Sequence, residues 1–451
     1  MFLLCFLCYR IYQNVSLLGS LVYVKPFGFD VNGEFDIQLR RLPPKPVLIS
    51  MCSKEEYKAF INIPIDYKSC ETIKNFCNIS NITQAQNGFV QFSGIIPTKD
   101  RYRALIAMCS NERSVYEINL SFKNQYTYLD IEKIPLLTTK PILLGLILIS
   151  ICYWIFNWVS NCAGTNSLHA YFSIAYIITG ASTLIDMFYY DHFDKTDDYH
   201  FIVLLSGVFS FLKELMLVSG MLLVSKGFGI VHSNISATTM LVTVLTCAIV
   251  LGSVTIYEYI ESSLWSMMAF LTFIISLYFL IMQLMDGIRD ALLHIIAHLY
   301  VIFDAGIDPT STPVWEKFQI YQNLSFIIFS YFSVITLADL IITIAESPIW
   351  ILEFIRDCCN VGLLMASMYL FRIRPALARG YQTIGEEGEP ARFTREQVES
   401  REMDEEQFRI KKQWDSSTVL PPQPIIIDSE SSRTENPNAP PEEDVNNVMT
   451  P

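Results

Sequence analysis

Seven charged side chains stand inside stretches of sequence that are otherwise apolar enough to cross a lipid bilayer. They are Asp186, Lys213, Glu214, Asp339, Glu353, Arg356 and Asp357. A charge at the centre of a membrane helix costs roughly 2.5–3.5 kcal/mol on insertion scales, so it needs a partner or a polar cavity. Two interpretations stay open: a cavity or ion path that binds a ligand, or ion pairs that lock helices together.

The spacing of these residues limits how they can pair. The candidate partners of Lys213 lie in other apolar stretches, at Asp186, Asp339 and Asp357. Glu214 points about 100° away from Lys213 around a helix and needs a partner of its own. Glu353 and Arg356 are close enough to share one helix face. All seven residues are therefore candidates for lining a cavity or binding a ligand.

Motifs for enzymatic chemistry are missing from the sequence. It contains no Gly-x-Ser-x-Gly elbow, no phosphate-binding glycine loop and no His-Glu-x-x-His motif. His294 and His298 have the spacing of two metal ligands on one helix face, but no carboxylate motif accompanies them. We expect a solvated or headgroup-facing pair there. The sequence predicts neither an enzyme nor a metal or other cofactor, and leaves a bound phospholipid as the possible ligand.

The composition indicates that a bilayer surrounds much of the chain. Of its 451 residues 51% are hydrophobic and only 17% are charged, against about 25% charged in soluble domains. Seven apolar runs reach the length of about 18 residues that a spanning helix needs. They are Pro141–Trp158, Tyr171–Tyr190, Phe201–Val224, Ala237–Tyr257, Ser262–Leu284, Leu324–Ala345 and Ile349–Phe371. Ala291–Phe303 is too short to span and predicts a separate interfacial helix.

The segment from 25 to 140 has the pattern of short strands. Phe35, Ile37 and Leu39 alternate with polar residues, whereas Val47–Ile49 and Ala104–Ile106 are continuous apolar runs. Alternation is typical of a strand with one buried face, and a short continuous run of a fully buried strand. The segment therefore predicts a small β-sandwich.

Cysteines and sequons indicate an oxidising compartment for this segment. Its four cysteines are Cys52, Cys70, Cys77 and Cys109, and its candidate glycosylation sites are Asn78, Asn81 and Asn119. An even cysteine count predicts two disulfides, and three pairings stay open. Residues 1–24 are apolar and favour a signal peptide over an uncleaved anchor.

The negative charge of the chain belongs mostly to its C-terminal part. Sixteen acidic and seven basic residues fall between 381 and 451, so this segment carries −9 of the net −13. Without a basic stripe, nucleic acid is excluded as a partner. Seven spans (141–373) after a lumenal N-terminus would place residues 374–451 in the cytosol as a disordered acidic tail. Basic residues just past the last run agree with that orientation.

The third apolar run carries a resemblance to a known family. From Phe209 to Val231 the chain reads FSFLKELMLVSGMLLVSKGFGIV. This stretch resembles the GOST family, seven-transmembrane proteins with a lumenal Golgi-dynamics (GOLD) domain, also called lung seven-transmembrane receptors and related to Wntless. The matching positions are Phe209, Ser210, Leu212, Lys213, Val224, Ser225, Gly227, Phe228, Gly229, Ile230 and Val231. The exit from the last run, Phe371-Arg372 and Arg374-Pro375, is similar to the Golgi-resident branch.

The resemblance implies a multi-domain membrane protein with a lumenal GOLD-like β-sandwich, a seven-helix bundle and a cytosolic tail. It also implies a bundle cavity for lipid or lipidated cargo, with Lys213 as a cavity residue, and a role in Golgi and endosomal trafficking. Tyr381-Gln-Thr-Ile384 fits the Tyr-x-x-hydrophobic motif that clathrin adaptors or coat proteins bind. The alternative is a seven-transmembrane receptor or cation channel, although Ser225-Lys226-Gly227 stands where a G-protein-coupled receptor would carry Asp-Arg-Tyr.

Overall fold

The computed structural model of the chain describes residues 21–24, 26–62, 70–109, 116–162, 165–196, 200–232, 235–259, 263–345, 348–373, 390–401, 411–415 and 419–427. The predicted sorting residues Tyr381 and Ile384 lie outside these ranges, and so does the side chain of Asp339.

The described part of the N-terminal segment forms two antiparallel sheets. Its strands are β1 (Leu21–Tyr23), β2 (Phe27–Phe29), β3 (Glu34–Arg40), β4 (Pro46–Ser53), β5 (Ile79–Gln84), β6 (Phe89–Ile95), β7 (Asp100–Met108) and β8 (Glu117–Lys123). One sheet has the order β1-β7-β4-β5, with β2 also paired to β7, and the other has the order β6-β3-β8. Phe35, Ile37 and Leu39 of β3 share one apolar core with Val47 and Ile49 of β4. The alternating pattern therefore predicted the buried face of β3 correctly.

The larger sheet is buried on its second face as well. Leu48 and Leu105 point away from the shared core and pack beneath α1 (Lys54–Ile61) and α2 (Cys70–Phe76). Burial on both faces explains why β4 and β7 read as continuous apolar runs. Disulfides join Cys52 to Cys77 and Cys70 to Cys109. The prediction of two disulfides is confirmed, and the structure selects one of the three pairings.

Long apolar helices follow the β-domain. They are α3 (Leu136–Ser160), α4 (Ser167–Lys195), α5 (His200–Ser225), α6 (Ala237–Tyr259), α7 (Ser263–Asp304), α8 (Pro313–Ala345) and α9 (Ile349–Leu370). Among the described residues, the helices from α3 to α8 are long and apolar enough to cross a membrane. α9 is the helix that carries Glu353, Arg356 and Asp357. The predicted order, a β-domain followed by the long apolar helices of a membrane region, is confirmed.

The structure corrects the prediction of a separate interfacial helix at Ala291–Phe303. α7 continues without a break for 42 residues, from Ser263 to Asp304. It contains no proline, and Gly287 packs closely enough that an added Cβ would lie 3.0 Å from the Ser225 Oγ. At 1.5 Å per residue α7 is about 63 Å long, roughly twice the thickness of a bilayer core.

Two predicted boundaries also change. β1 pairs Leu21 with Ala107 and Tyr23 with Leu105, so the β-domain includes residues that lie before its predicted start at residue 25. At the other end, β9 (Arg392–Thr394), α10 (Arg395–Glu399) and β10 (Ile425–Ile427) lie in the segment that was predicted to be disordered. Val398 and Leu420 are 3% and 1% exposed. This part of the tail is ordered because it buries its apolar residues against the helices.

The chain divides into two compact units. The first comprises Met1–Ile149, Ile177–Lys213 and Val334–Gly362, and the second comprises Ser150–Tyr176, Glu214–Ser333 and Leu363–Pro451. The core of the β-domain belongs to the first unit, and the largest helical core, with Phe172, Tyr321 and Leu364 at its centre, belongs to the second.

Candidate functional site

Four charged side chains meet in the first unit, one from each of α3, α4, α5 and α9. We call Lys140, Asp186, Lys213 and Asp357 the charge cluster. The Nζ of Lys140 lies 2.6 Å from the Oδ2 of Asp357 and 3.5 Å from the Oδ2 of Asp186. The Nζ of Lys213 lies 3.8 Å from the Oδ1 of Asp357. Asp357 therefore lies between two lysines, and Lys140 between two aspartates.

Neutral and acidic neighbours extend the charge cluster. The Ser206 hydroxyl donates a hydrogen bond of 2.6 Å to the second oxygen of Asp186. The Tyr190 hydroxyl donates one of 2.7 Å to Glu353, and the Tyr190 ring lies 5.8 Å from the Nζ of Lys140. Tyr190 thus links Glu353 to the lysine at the centre of the cluster.

The charges of the cluster are almost completely removed from solvent. The side chains of Lys140 and Lys213 are 7% and 6% exposed, and those of Asp186 and Asp357 are 12% and 16% exposed. Desolvating an ion costs several kcal/mol, and only a well-placed opposite charge offsets that cost. Two positive and two negative groups balance here, which makes each group dependent on its partners.

The structure brings together part of the predicted set. Of the three partners proposed for Lys213, Asp357 is in contact, and Asp186 joins the same cluster through Lys140. Glu353 lies beside it through Tyr190. Glu214 and Arg356 are both half-buried. Glu214 belongs to the second unit.

Lys140 was predicted as the end of the β-domain and not as a site residue. It lies inside α3, followed by Pro141, because α3 begins at Leu136. A lysine flanked by Leu136-Leu137 and by the apolar run after Pro141 was the available signal. Pro141 is the sixth residue of α3, so the helix starts before it and lacks one backbone hydrogen bond, to the Leu137 carbonyl.

One hydroxyl near the charge cluster has no hydrogen-bond partner among the described residues. Ser182 is fully buried, and its Oγ contacts no donor or acceptor there. It lies one helical turn before Asp186 on α4. A buried hydroxyl without a partner costs about 1–3 kcal/mol, so this position is polar but unsatisfied.

A separate apolar cleft lies within the second unit. Its walls come from α5, α7, α8 and α9, and it is partly open to the surroundings. The lining residues are Val218, Met221, Leu222, Leu280, Leu284, Ile328, Tyr331, Phe332 and Leu363. Apart from the Tyr331 hydroxyl, these side chains offer only carbon and sulfur to an occupant.

The glycines of the family-like stretch form a tight turn after α5. Gly227 and Gly229 have φ values of 92° and 71°, in the left-handed region that glycine adopts without a Cβ penalty. A Cβ at Gly229 would lie only 2.5 Å from the Cβ of Leu168. These glycines therefore let the chain turn and pack closely.

Other residues of this stretch secure the end of α5. The Ser225 hydroxyl donates to the Leu222 carbonyl, and the Tyr321 hydroxyl donates to the Val224 carbonyl at 2.7 Å. The Nζ of Lys226 donates to Thr243 and Gln283, and burial lowers the pKa of Lys226. Phe228 is buried, whereas the earlier positions are half-buried: Phe209, Ser210 and Leu212.

The predicted histidine pair is not a solvated pair. His298 is 4% exposed, and its Nε2 lies 3.0 Å from the Pro421 carbonyl oxygen. The Nδ1 of His294 lies 2.8 Å from the Asp290 carbonyl oxygen. The prediction is therefore wrong for His298, which the tail covers. Among the described residues, no three His, Cys, Asp or Glu side chains form a group that could hold a metal ion.

All three candidate glycosylation residues are exposed. Asn78 precedes β5, whereas Asn81 and Asn119 lie in β5 and β8, each at the edge of its sheet. Glycosylation itself stays a prediction.

No protein-family model matches this chain, and no curated protein matches it.

Proposed function

We propose that this protein is a membrane-trafficking protein that binds a lipid, or a protein carrying a lipid chain, and couples it to sorting machinery through its C-terminal tail. The observation that carries the proposal is the apolar cleft of the second unit. Its walls of aliphatic and aromatic side chains suit a hydrocarbon chain, because apolar surface is favourably removed from water there.

The lining of the cleft argues for an acyl chain over a polar ligand. A polar group placed there would lose its hydration and would find the Tyr331 hydroxyl as its only polar side chain in the wall. A hydrocarbon chain loses nothing by the same transfer. A membrane lipid or the lipid group of a lumenal cargo protein is therefore the class of ligand that fits.

The proposed location is the Golgi and endosomal system, with the N-terminus lumenal and the C-terminus cytosolic, and with the plasma membrane as a further site. Two disulfides in the β-domain support an oxidising lumen on that side. An odd number of spans, with α9 as the seventh, would put the tail in the cytosol. The resemblance to the GOST family, with its GOLD domain, supports the same assignment.

Lipid retention by the purified full-length protein tests the proposal. In Val218→Trp the larger side chain fills the cleft from α5. We expect this variant to lose co-purifying lipid measured by mass spectrometry. Ile249→Trp is the matched control, because Ile249 is 52% exposed on α6 and does not line the cleft. Equal lipid content in the two variants would remove the lipid-binding proposal.

A receptor or cation channel is the second candidate, and the charge cluster is the observation that favours it. Four helices contribute charged groups to one buried region, as a polar path would require. The two lysines are nevertheless paired with the two aspartates, so these four charges are engaged with one another. Under the trafficking proposal, Lys213→Ala alters lipid or cargo retention and leaves membrane conductance unchanged. Reproducible currents that Lys213→Ala abolishes would favour the channel instead.

A further inference from the structure

The ordered part of the C-terminal tail covers one face of α7. We call the described residues 390–401, 411–415 and 419–427 the strap. Val398 of α10 is 3% exposed and packs with Leu293, Ala297 and Tyr300 of α7. These three residues recur every three to four positions, so they form one stripe along α7.

Charged side chains of the strap form ion pairs with α7 on both sides of Val398. Arg395 lies 2.5 Å from the carboxylate of Asp290, and Arg401 lies 2.7 Å from that of Asp304. Arg395, Val398 and Arg401 therefore meet α7 in the order in which their partners occur along it. The tail chain runs in the same direction as α7, and its i, i+3, i+6 pattern of arginine, valine and arginine matches the face beneath.

A second part of the strap returns over the end of the same helix. The backbone of Lys412 is hydrogen-bonded to Gly306 and Asp308, and the Pro421 carbonyl lies against the buried His298. β10 then pairs in parallel with β9, which closes the strap on itself. The strap is thus a folded part of the second unit.

The contacts that hold α10 are of the kind that exchange readily. The side chains of Arg395, Arg401, Asp290 and Asp304 are each 39% to 58% exposed. Ion pairs at such positions contribute little net stability and weaken as salt is added. Val398 is the fully buried aliphatic anchor of α10, and Phe393 and Ile426 pack around it half-buried.

We propose that this face of α7 is an exchangeable docking surface, occupied by the strap in the resting protein and by a helix of a cytosolic partner when the strap leaves. The partner helix presents an aliphatic side chain between two arginines, as α10 does. This inference rests on the proposed function for the side of the membrane on which the tail lies, and it does not depend on lipid binding.

Binding of the tail in trans tests this inference on the full-length protein. The probe is a fluorescent peptide of residues 390–427, added to the wild-type protein and to Val398→Asp, in which a charge replaces the buried anchor. We expect the Val398→Asp protein to bind the peptide at least about tenfold more tightly, because its docking surface is open while the wild-type surface is occupied. Glu396→Ala is the matched control, since Glu396 is an exposed residue of the same helix.

Three outcomes would overturn the proposal. They are equal peptide affinity for the wild-type and Val398→Asp proteins, no binding to Val398→Asp, and equal binding of a peptide that itself carries Val398→Asp. A charge exchange gives a second readout that does not need a peptide. Arg401→Glu should speed hydrogen exchange at the α10 amides, and Arg401→Glu with Asp304→Arg should slow it again. A double variant that exchanges as fast as the single one would contradict an exchangeable strap held by this pair.

Discussion

The Nζ of Lys140 lies 2.6 Å from the carboxylate of Asp357, although 217 positions separate the two residues in the sequence. The contact joins α3, the first helix after the β-domain, to α9. Next to it, Leu129 and Leu136 pack with Tyr190 and Phe193 of α4. The link between the β-domain and the helices is therefore held by a buried ion pair and an apolar cluster in the same unit.

Removing the shared carboxylate should be the most damaging change in the charge cluster. Asp357→Asn leaves Lys213 without its carboxylate partner and weakens the contacts of Lys140. An uncompensated buried charge costs about 3–5 kcal/mol, so we expect a clear loss of thermal stability in detergent. Lys213→Met should cost less, because Asp357 keeps Lys140.

An exposed ion pair provides the control for this comparison. Lys195 and Asp191 form a pair on α4 with side chains 65% and 56% exposed. Lys195→Met should change stability by less than about 1 kcal/mol. If Asp357→Asn and Lys195→Met lower the unfolding temperature equally, the charge cluster contributes no more to stability than an exposed ion pair.

The two disulfides should each stabilise the β-domain of the full chain. Their loops span 25 and 39 residues, which corresponds to about 3.5 and 4 kcal/mol in the chain-entropy model. Replacing Cys52 and Cys77 together with alanine should lower the unfolding temperature, and a reductant should then lower it further. Peptide mapping without reduction checks the pairing directly: a Cys52–Cys70 or Cys52–Cys109 peptide would contradict it.

Two glycines should respond in opposite directions to substitution by alanine. Gly229→Ala places a Cβ 2.5 Å from Leu168 at a φ of 71°, so it should destabilise the protein by at least about 1–3 kcal/mol. Gly252 lies within α6, where an added Cβ meets nothing within 4 Å. Gly252→Ala should be neutral or stabilising by up to about 1 kcal/mol. Thermal unfolding of the two variants under identical conditions measures the contrast.

The sorting motif predicts a change in location. Tyr381→Ala should shift the steady-state distribution toward the cell surface, because an adaptor would lose the tyrosine that it binds. Tyr126→Ala is the control, since Tyr126 is 85% exposed in the β-domain. Surface labelling of intact cells measures both variants, and a distribution unchanged by Tyr381→Ala would exclude the adaptor role.

Periodicity predicted the elements of this fold better than it predicted their ends. The strands β3, β4 and β7 could be predicted from their apolar patterns. β3 alternates at Phe35, Ile37 and Leu39 because one of its faces is buried, and β4 and β7 are continuous apolar runs because both of their faces are buried. The short helices α1 and α2 were not predicted. The length of α7 was also missed, since Asp286, Arg289 and Asp290 resemble a boundary but occupy exposed positions of a continuous helix.

Three of the four residues of the charge cluster were singled out in the sequence, but most of the contacts between them were not. Asp186, Lys213 and Asp357 stood out because charges inside apolar runs are rare. Lys140 did not, because it precedes a proline that looks like the start of a helix. The folding of the tail was missed for another reason: its apolar residues are few and widely spaced, and they are buried by packing against the helices, Val398 on α7 and Leu420 in the largest helical core.

The continuity of α7 has a mechanical consequence. Leu280 and Leu284 line the apolar cleft, and Leu293, Ala297 and Tyr300 lie further along the same unbroken rod. Its last 20 residues form an arm of about 30 Å, so a 10° tilt at the cleft moves the tip by about 5 Å. A displacement of that size exceeds the reach of a hydrogen bond. A ligand that tilts α7 at the cleft would therefore shift the contacts at the far end of the helix.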